Sequence, residues 1–136
     1  MRVYLDTNVL VSTFTTRGLC ADLMRLILAE HDLMTGEANL GELRRVLTDR
    51  FGAATSVIAS VESQLRDQIV LSTPGTTGEV PVRDPDDAWV LASALSSNAE
   101  LLVTGDRDLL ALSALVELPI VTPRTAWKRL HGMRQC

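Results

Sequence analysis

Cysteine, histidine and lysine are all scarce in this chain, and each scarcity removes a class of function. The 136 residues hold two cysteines, Cys20 and Cys136. A disulfide-stapled secreted scaffold needs more, so both read as free thiols. The two histidines, His31 and His131, stand apart from any Cys or His at zinc-ligand spacing, which argues against a zinc site and for structural roles. Long apolar runs are also missing: none approaches the roughly 20 residues that cross a bilayer. The chain opens on strand-like residues, with no basic leader followed by an apolar segment. The expectation is a cytoplasmic protein without a membrane role.

Several motifs are absent too. No G-x-S-x-G elbow occurs. Gly36 and Gly41 have the first spacing of a phosphate-binding P-loop, but Glu42 and Leu43 stand where Lys and Ser/Thr belong. There is no internal repeat, low-complexity tract or linker, and a 46% hydrophobic content is enough to fill one core. One domain over residues 1–136 is expected.

Basic charge is in deficit, with 17 acids against 13 bases, a net charge of −4 and a pI near 5.1. This argues against a broad basic face for nucleic acid. If the partner is a polyanion, something local must attract it. All the basic residues but Lys128 are arginine, some of them clustered (Arg44 and Arg45; Arg124 and Arg129 near Lys128). Arginine is the better fork for phosphate oxygens, although solvated helix faces explain such clusters equally well.

Hydrophobic periodicity gives an alternating order of strands and helices. Residues 2–6 read as a strand, with helix-start chemistry at Thr7 and Asn8. Leu19, Leu23, Leu26 and Ile27 mark a helix over 19–29, and 31–35 a second strand. Leu40, Leu43, Val46 and Leu47 mark a helix running to Arg50, and a further helix covers 55–66. Residues 69–72 make a third strand, followed by a loop over 73–83 rich in Thr, Gly and Pro. Asp84 and Pro85 suit the N-cap and first position of a helix to about Ser97. A strand over 101–104, a short helix over 109–115, a strand at 120–121 and a helix over 123–130 complete an α/β pattern with a mostly parallel sheet. The helical segments at 19–29 and 40–65 offer apolar faces to the core or to a second subunit or partner helix.

In open α/β sheets ligands bind beyond the carboxyl ends of the strands, which gives weight to acids found there. Asp6 ends the first strand, and Asp106 follows the fourth after a Gly105 turn. Capping the next helix is the alternative for both. On the helix starting near Asp86, Asp87 heads the apolar stripe of Val90, Leu91 and Ala94, whereas Asp86 points away from it. A carboxylate aimed inward needs a cation or donors, and first-turn backbone amides are the alternative partner. Glu42 lies beside the stripe of its helix, placed either to reach a cleft or to meet solvent near Arg45. Converging carboxylates are the hard-oxygen ligand set of Mg²⁺ or Mn²⁺, ions that assist phosphodiester hydrolysis.

The series Leu5-Asp6-Thr7-Asn8, Glu42-Leu43, Arg83-Asp84-Pro85-Asp86-Asp87 and Val103-Thr104-Gly105-Asp106-Arg107-Asp108-Leu109-Leu110 resembles the PIN-domain family, and within it the VapC-like toxins of toxin–antitoxin modules. The resemblance runs through nearly the whole chain, with weak matching between residues 50 and 80. It implies a three-layer α/β/α fold around a mostly parallel sheet of four to five strands. The implied activity is a ribonuclease dependent on one or two Mg²⁺ or Mn²⁺ ions, leaving 5′-phosphate and 3′-hydroxyl ends. The implied partners are an RNA substrate, a cognate antitoxin and a second copy, as a homodimer or higher even oligomer. By position Asp6, Glu42, Asp87 and Asp106 match the metal-binding and catalytic acids, while Asp84 and Asp108 are neighbours that could share a ligand role. Thr7, Asn8 and Thr104 match supporting residues, and Arg83 and Arg107 are candidate substrate contacts.

Rival readings are a PIN-like interaction domain that cleaves nothing, a metal-dependent nuclease for structured DNA, and a phosphatase using Asp6 as nucleophile. In the last case Asn8 stands where the haloacid-dehalogenase pattern expects a second Asp. A receiver domain is excluded because the sole lysine, Lys128, falls in the terminal helix instead of at a strand end.

Overall fold

Three short strands made almost wholly of apolar residues, Val3-Tyr4-Leu5, Leu33-Met34 and Leu101-Leu102-Val103, carry the centre of the structure. Such continuous runs suit parallel strands covered on both faces. The computed structural model describes residues 1–75, 82 and 84–134. The element order is β1 (Arg2–Leu5), α1 (Thr7–Thr15), α2 (Leu19–Glu30), β2 (Asp32–Gly36), α3 (Glu37–Asp49), α4 (Thr55–Arg66), β3 (Ile69–Leu71), α5 (Pro85–Ser96), β4 (Leu101–Val103), α6 (Arg107–Leu110), a 3₁₀ turn (Ala111–Ala114), β5 (Ile120–Val121) and α7 (Pro123–Arg134).

The strands form one parallel sheet of order β3-β2-β1-β4-β5. In register, Val3 faces Leu33 on one side and Leu101 on the other, and Leu5 faces Val103. Alternation divides the core. Val3, Leu5, Leu33, Leu101 and Val103 pack under α1, α2, α3, α4 and α7. Tyr4, Met34, Leu102 and Ile120 pack under α5, α6 and the 3₁₀ turn. The result is the expected three-layer α/β/α arrangement, with the sheet in the middle. Successive connections run outward from β1 on one side and from β4 on the other, so the order reverses between these two strands. That is the switch point at which such sheets bind ligands.

Element limits differ from the sequence expectation in a few places, each with a local cause. The short helix begins at Arg107 and not at Leu109, because the Asp106 side chain accepts from the Asp108 amide and caps it two residues earlier. It then tightens into 3₁₀ geometry, where Leu109 and Leu112, three apart, both face the core. The terminal helix continues past Leu130 to Arg134, with His131 stacked on Trp127 one turn away. Much of the expected 73–83 loop, Arg83 included, and Cys136 lie outside the described residues. Cys20 is a free thiol, half-buried on α2.

Gly36 closes β2 and caps α3. A Cβ there would lie 2.6 Å from the Tyr4 hydroxyl and 3.0 Å from Ser93 Oγ. Only glycine lets the β2 end, Tyr4 and the Ser93 turn of α5 come this close.

Candidate active site

A cavity of about 410 Å³ opens at the carboxyl edge of the sheet, over the switch point, and Asp6, Glu42, Asp87 and Asp106 all line it, with Thr7 and Asn8. Four elements deliver these acids. Asp6 follows β1, and its amide still donates to Val103 O at 3.0 Å, so the ladder carries it to the sheet edge before α1 begins. Asp106 follows β4 after Thr104 and Gly105. Asp87 lies in the first turn of α5, and Glu42 in the middle of α3.

Asp6 is only 4% exposed, yet each of its oxygens is hydrogen-bonded. Oδ1 accepts from the Thr7 amide at 2.8 Å and from Asn39 Nδ2 at 3.2 Å. Oδ2 accepts from Thr104 Oγ1 at 2.7 Å and Asn8 Nδ2 at 2.9 Å. Thr104 Oγ1 in turn accepts from the Asp106 amide at 3.0 Å, and Asn8 Oδ1 from the Gly105 amide at 2.9 Å. Thr104 and Asn8 thus link the two strand-end acids into one rigid unit. Asn39 Nδ2 also donates to Thr7 Oγ1 at 2.9 Å, while Asn39 Oδ1 accepts from Tyr4 Oη at 2.6 Å. Thr7 Oγ1 then donates to Glu42 Oε2 at 3.3 Å. Capping and cleft-lining, the two readings open for Asp6 and Asp106, are both realised: each caps its helix and lines the cavity.

The acids crowd one another. Burial, opposed by the donors from Thr104 and Thr7 and aided by the charge of Asp106, raises the Asp6 carboxyl above its usual range. Burial and Asp6 likewise raise Glu42. Asp87 is pushed up to about 7 by burial first, then by the charge of Asp106 and a hydrogen bond shared with it, then by Asp6 and Asp84. Tyr4, fully buried beneath, is pushed up to about 12, chiefly by burial.

The two neighbouring acids left open by the sequence behave differently. Asp87, Asp106 and Asp108 each offer an oxygen such that the three lie within 4.8 Å of one another, the one such metal-type grouping among the described residues. Asp84 instead is exposed and caps α5, accepting from the Asp86 amide at 2.9 Å. Arg107 is exposed as the first residue of α6. Asn39 escaped the sequence reading, although its signal was of the kind used for Asp87: it is a polar residue on the apolar stripe of α3, four positions before Leu43. Ser12, Arg50 and Phe51 also line the cavity without having been anticipated.

A sequence model of the PIN domain matches residues 2–108, a span that contains all four acids. Among solved structures the fold is similar to VapBC2 from Rickettsia felis bound to a DNA fragment from its promoter, with a TM-score of 0.68 at 14% identity, covering 90% of this chain and 98% of that one. It is also similar to VapBC-1 from nontypeable Haemophilus influenzae, with a TM-score of 0.64 at 20% identity over 91% of this chain and 99% of that one. Mycobacterium tuberculosis VapC20, a toxin that cleaves the Sarcin-Ricin loop, matches with a TM-score of 0.60 at 15% identity over 80% of this chain and 93% of that one. No curated protein matches the chain.

Proposed function

The chain belongs to the PIN-domain family, and on that premise we propose that it is a Mg²⁺- or Mn²⁺-dependent endoribonuclease, the toxin of a toxin–antitoxin pair. The observation that carries the reading is the gathering of Asp87, Asp106 and Asp108, the first two of which line one cavity with Asp6 and Glu42.

The donor set fits a hard divalent cation. It is all carboxylate oxygen, and the acids stand close enough that Asp106, Asp6 and Asp84 add to the effect of burial in raising Asp87 to about 7. Asp6, Asp87 and Asp106 would hold one or two ions, with Asp108 as a further ligand. When bound, such an ion supplies positive charge to the phosphate oxygens and acidifies a water. Glu42, held by Thr7 at the cavity wall, would accept a proton from an attacking water and orient it in line with the P–O bond that breaks. Asn39, Asn8 and Thr104 position Asp6, and Arg107, exposed between Asp106 and Asp108, would meet a phosphate beside the scissile one. Arg83 keeps its proposed contact role from the sequence alone.

Similarity to VapBC complexes supports an antitoxin partner, and VapC20 supports RNA as substrate. We take the protein to act as a homodimer or higher even oligomer in the cytoplasm. Among the described residues no helix is long and apolar enough to cross a membrane.

The test uses purified protein with labelled single-stranded RNA and DNA, with Mn²⁺ or EDTA, beside Asp6→Asn and Asp87→Asn. RNA cleavage is expected with Mn²⁺ alone and is lost in both variants. Cleavage in EDTA, or variants as active as the parent, refutes the reading; cleavage confined to DNA moves the substrate.

A further inference from the structure

The cavity does not end at the acids. It continues as a trough between α1 and α3 to Arg50 and Phe51, just past the α3 end, with Ser12, Thr15 and Thr16 along the α1 side. Phe51 is 48% exposed although a large aromatic ring is a costly group to leave in water. The Arg50 guanidinium lies 5.7 Å from the centre of its ring, within cation–π range. The other apolar residues of this trough, Val11 and Val46, are half-buried. A lone exposed ring beside a guanidinium and a row of hydroxyls is too small and too polar for a protein–protein core. It matches what single-stranded nucleic acid uses: a flat stacking surface for one base, and donors for the adjoining backbone.

Resting on the reading that RNA is cut at the carboxylates, we propose that Phe51 and Arg50 form a nucleotide subsite. An unpaired base of the substrate stacks on Phe51, while Arg50 and the α1 hydroxyls hold the phosphate leading to the scissile bond. The substrate class is thereby narrowed to RNA that is unstacked beside the cut, such as a loop or a single-stranded stretch, because a base inside a duplex cannot reach the ring. Phe51 is a positioning residue, and its role lies in binding and register.

The experiment compares the full-length protein with Phe51→Ala and Phe51→Trp, with Leu115→Ala, at 62% exposed outside the cavity, as control. Binding of a fluorescent single-stranded oligoribonucleotide in Ca²⁺ is read by anisotropy, and cleavage in Mn²⁺ is resolved into kcat and KM. Phe51→Ala is expected to weaken binding and raise KM by about tenfold with kcat little changed, and Phe51→Trp to restore both. An abasic nucleotide at one position should reproduce the Phe51→Ala defect and add nothing to it in that variant. Melting temperatures should fall by only a few degrees in Phe51→Ala and hardly at all in Phe51→Trp, since about half of the ring is already in solvent. Parent and Phe51→Ala proteins that bind and cleave alike overturn the subsite while leaving the nuclease reading intact. Phe51-dependent binding with no cleavage by the parent supports the subsite and refutes the nuclease reading. Absence of both binding and cleavage refutes both.

Discussion

Neutralising one acid of the cavity should make the metal-free protein more stable, not less. The perturbation is Asp87→Asn. In the folded protein Asp87 titrates near 7, raised from 3.8 mainly by burial and then by Asp106. With the folded value above the unfolded one, the native state holds the proton more tightly through that window. The stability of the metal-free protein therefore falls as pH rises from about 4 to about 7 and stays low above it. The interval from 3.8 to about 7 corresponds to a ceiling of about 4 kcal/mol at roughly 1.4 kcal/mol per pH unit. Solvent at the cavity mouth and the proton shared with Asp106 reduce this to about 2 kcal/mol.

Against that gain, a carboxylate in the first turn of α5 favours the helix dipole, and losing it costs about 0.5 kcal/mol. The net is about 1.5 kcal/mol in favour of Asp87→Asn at pH 7.5, or roughly 5 °C in melting temperature for a chain of this length. The assay is thermal unfolding of EDTA-treated parent and variant from pH 3 to 8. The two should coincide only at the acid end, below the unfolded value of 3.8, where Asp87 is protonated in folded and unfolded states alike, and diverge as pH rises. Adding Mn²⁺ at pH 7.5 should raise the parent by RT ln(1 + [L]/Kd), about 2.7 kcal/mol at a hundredfold excess over Kd, and the variant by far less, reversing their order. A variant no more stable than the parent at pH 7.5, or a gap that does not close on acidification, refutes the claim that Asp87 carries uncompensated charge.

Three further outcomes follow from named contacts. Asn39→Ala removes donors from Asp6 and Thr7 and strands the buried Tyr4 hydroxyl; a loss of about 2–4 kcal/mol in urea unfolding is expected, with cleavage impaired beyond what stability explains. Gly36→Ala forces a methyl against Tyr4 Oη and Ser93 Oγ and should cost about 1–3 kcal/mol, relieved in part when combined with Ser93→Ala. Glu42→Gln should lower kcat by about 100-fold while keeping most of the Mn²⁺-induced rise in melting temperature, in contrast to Asp87→Asn.

How far the sequence anticipated these contacts depended on whether a residue's partner was near it in the chain. The strands were legible because Val3-Tyr4-Leu5 and Leu101-Leu102-Val103 are unbroken apolar runs, which only a doubly covered parallel strand buries well. Asp84 and Pro85 announced α5 through local capping chemistry, and the structure uses both as read. The inward turn of Asp87 was visible from its place on the apolar stripe, and it is indeed buried. The position of Glu42 could not be resolved, because its closest partner, Thr7, is 35 residues away and meets it only when α3 packs against α1. Asn39 was missed for the same reason: its partners Tyr4, Asp6 and Thr7 come from β1 and α1. The separation of Asp84 from Asp108 required the β4–α6 turn, whose direction follows from Thr104 and Asn8 bracketing Gly105. No periodicity encodes that.

On the proposed function, the partners of the site acids explain how an acidic chain could still take a polyanion. Among the described residues the donors to Asp6 are neutral: a backbone amide, two carboxamides and a hydroxyl. The ion pairs among the described residues are elsewhere, at Arg2–Glu100, Arg25–Asp22, Arg44–Glu62 and Arg66 with Glu37 and Glu62. Neutral donors fix where an oxygen sits but leave its charge undiminished, whereas an arginine would have fixed and neutralised it together. The fold therefore holds Asp6 rigidly, leaves Asp87 and Asp106 repelling each other, and keeps the negative field of the cavity intact. Such a field repels a phosphate when the acids are bare and attracts one only after cations enter, because bound ions reverse the local sign. On the proposed function, substrate binding is then conditional on metal binding. An Asn39→Lys substitution, which would place a permanent cation against Asp6, should accordingly raise nucleic-acid binding in EDTA while abolishing cleavage in Mn²⁺. Equal binding by parent and variant in EDTA, measured by anisotropy, would show that the field of these acids does not govern access to the cavity.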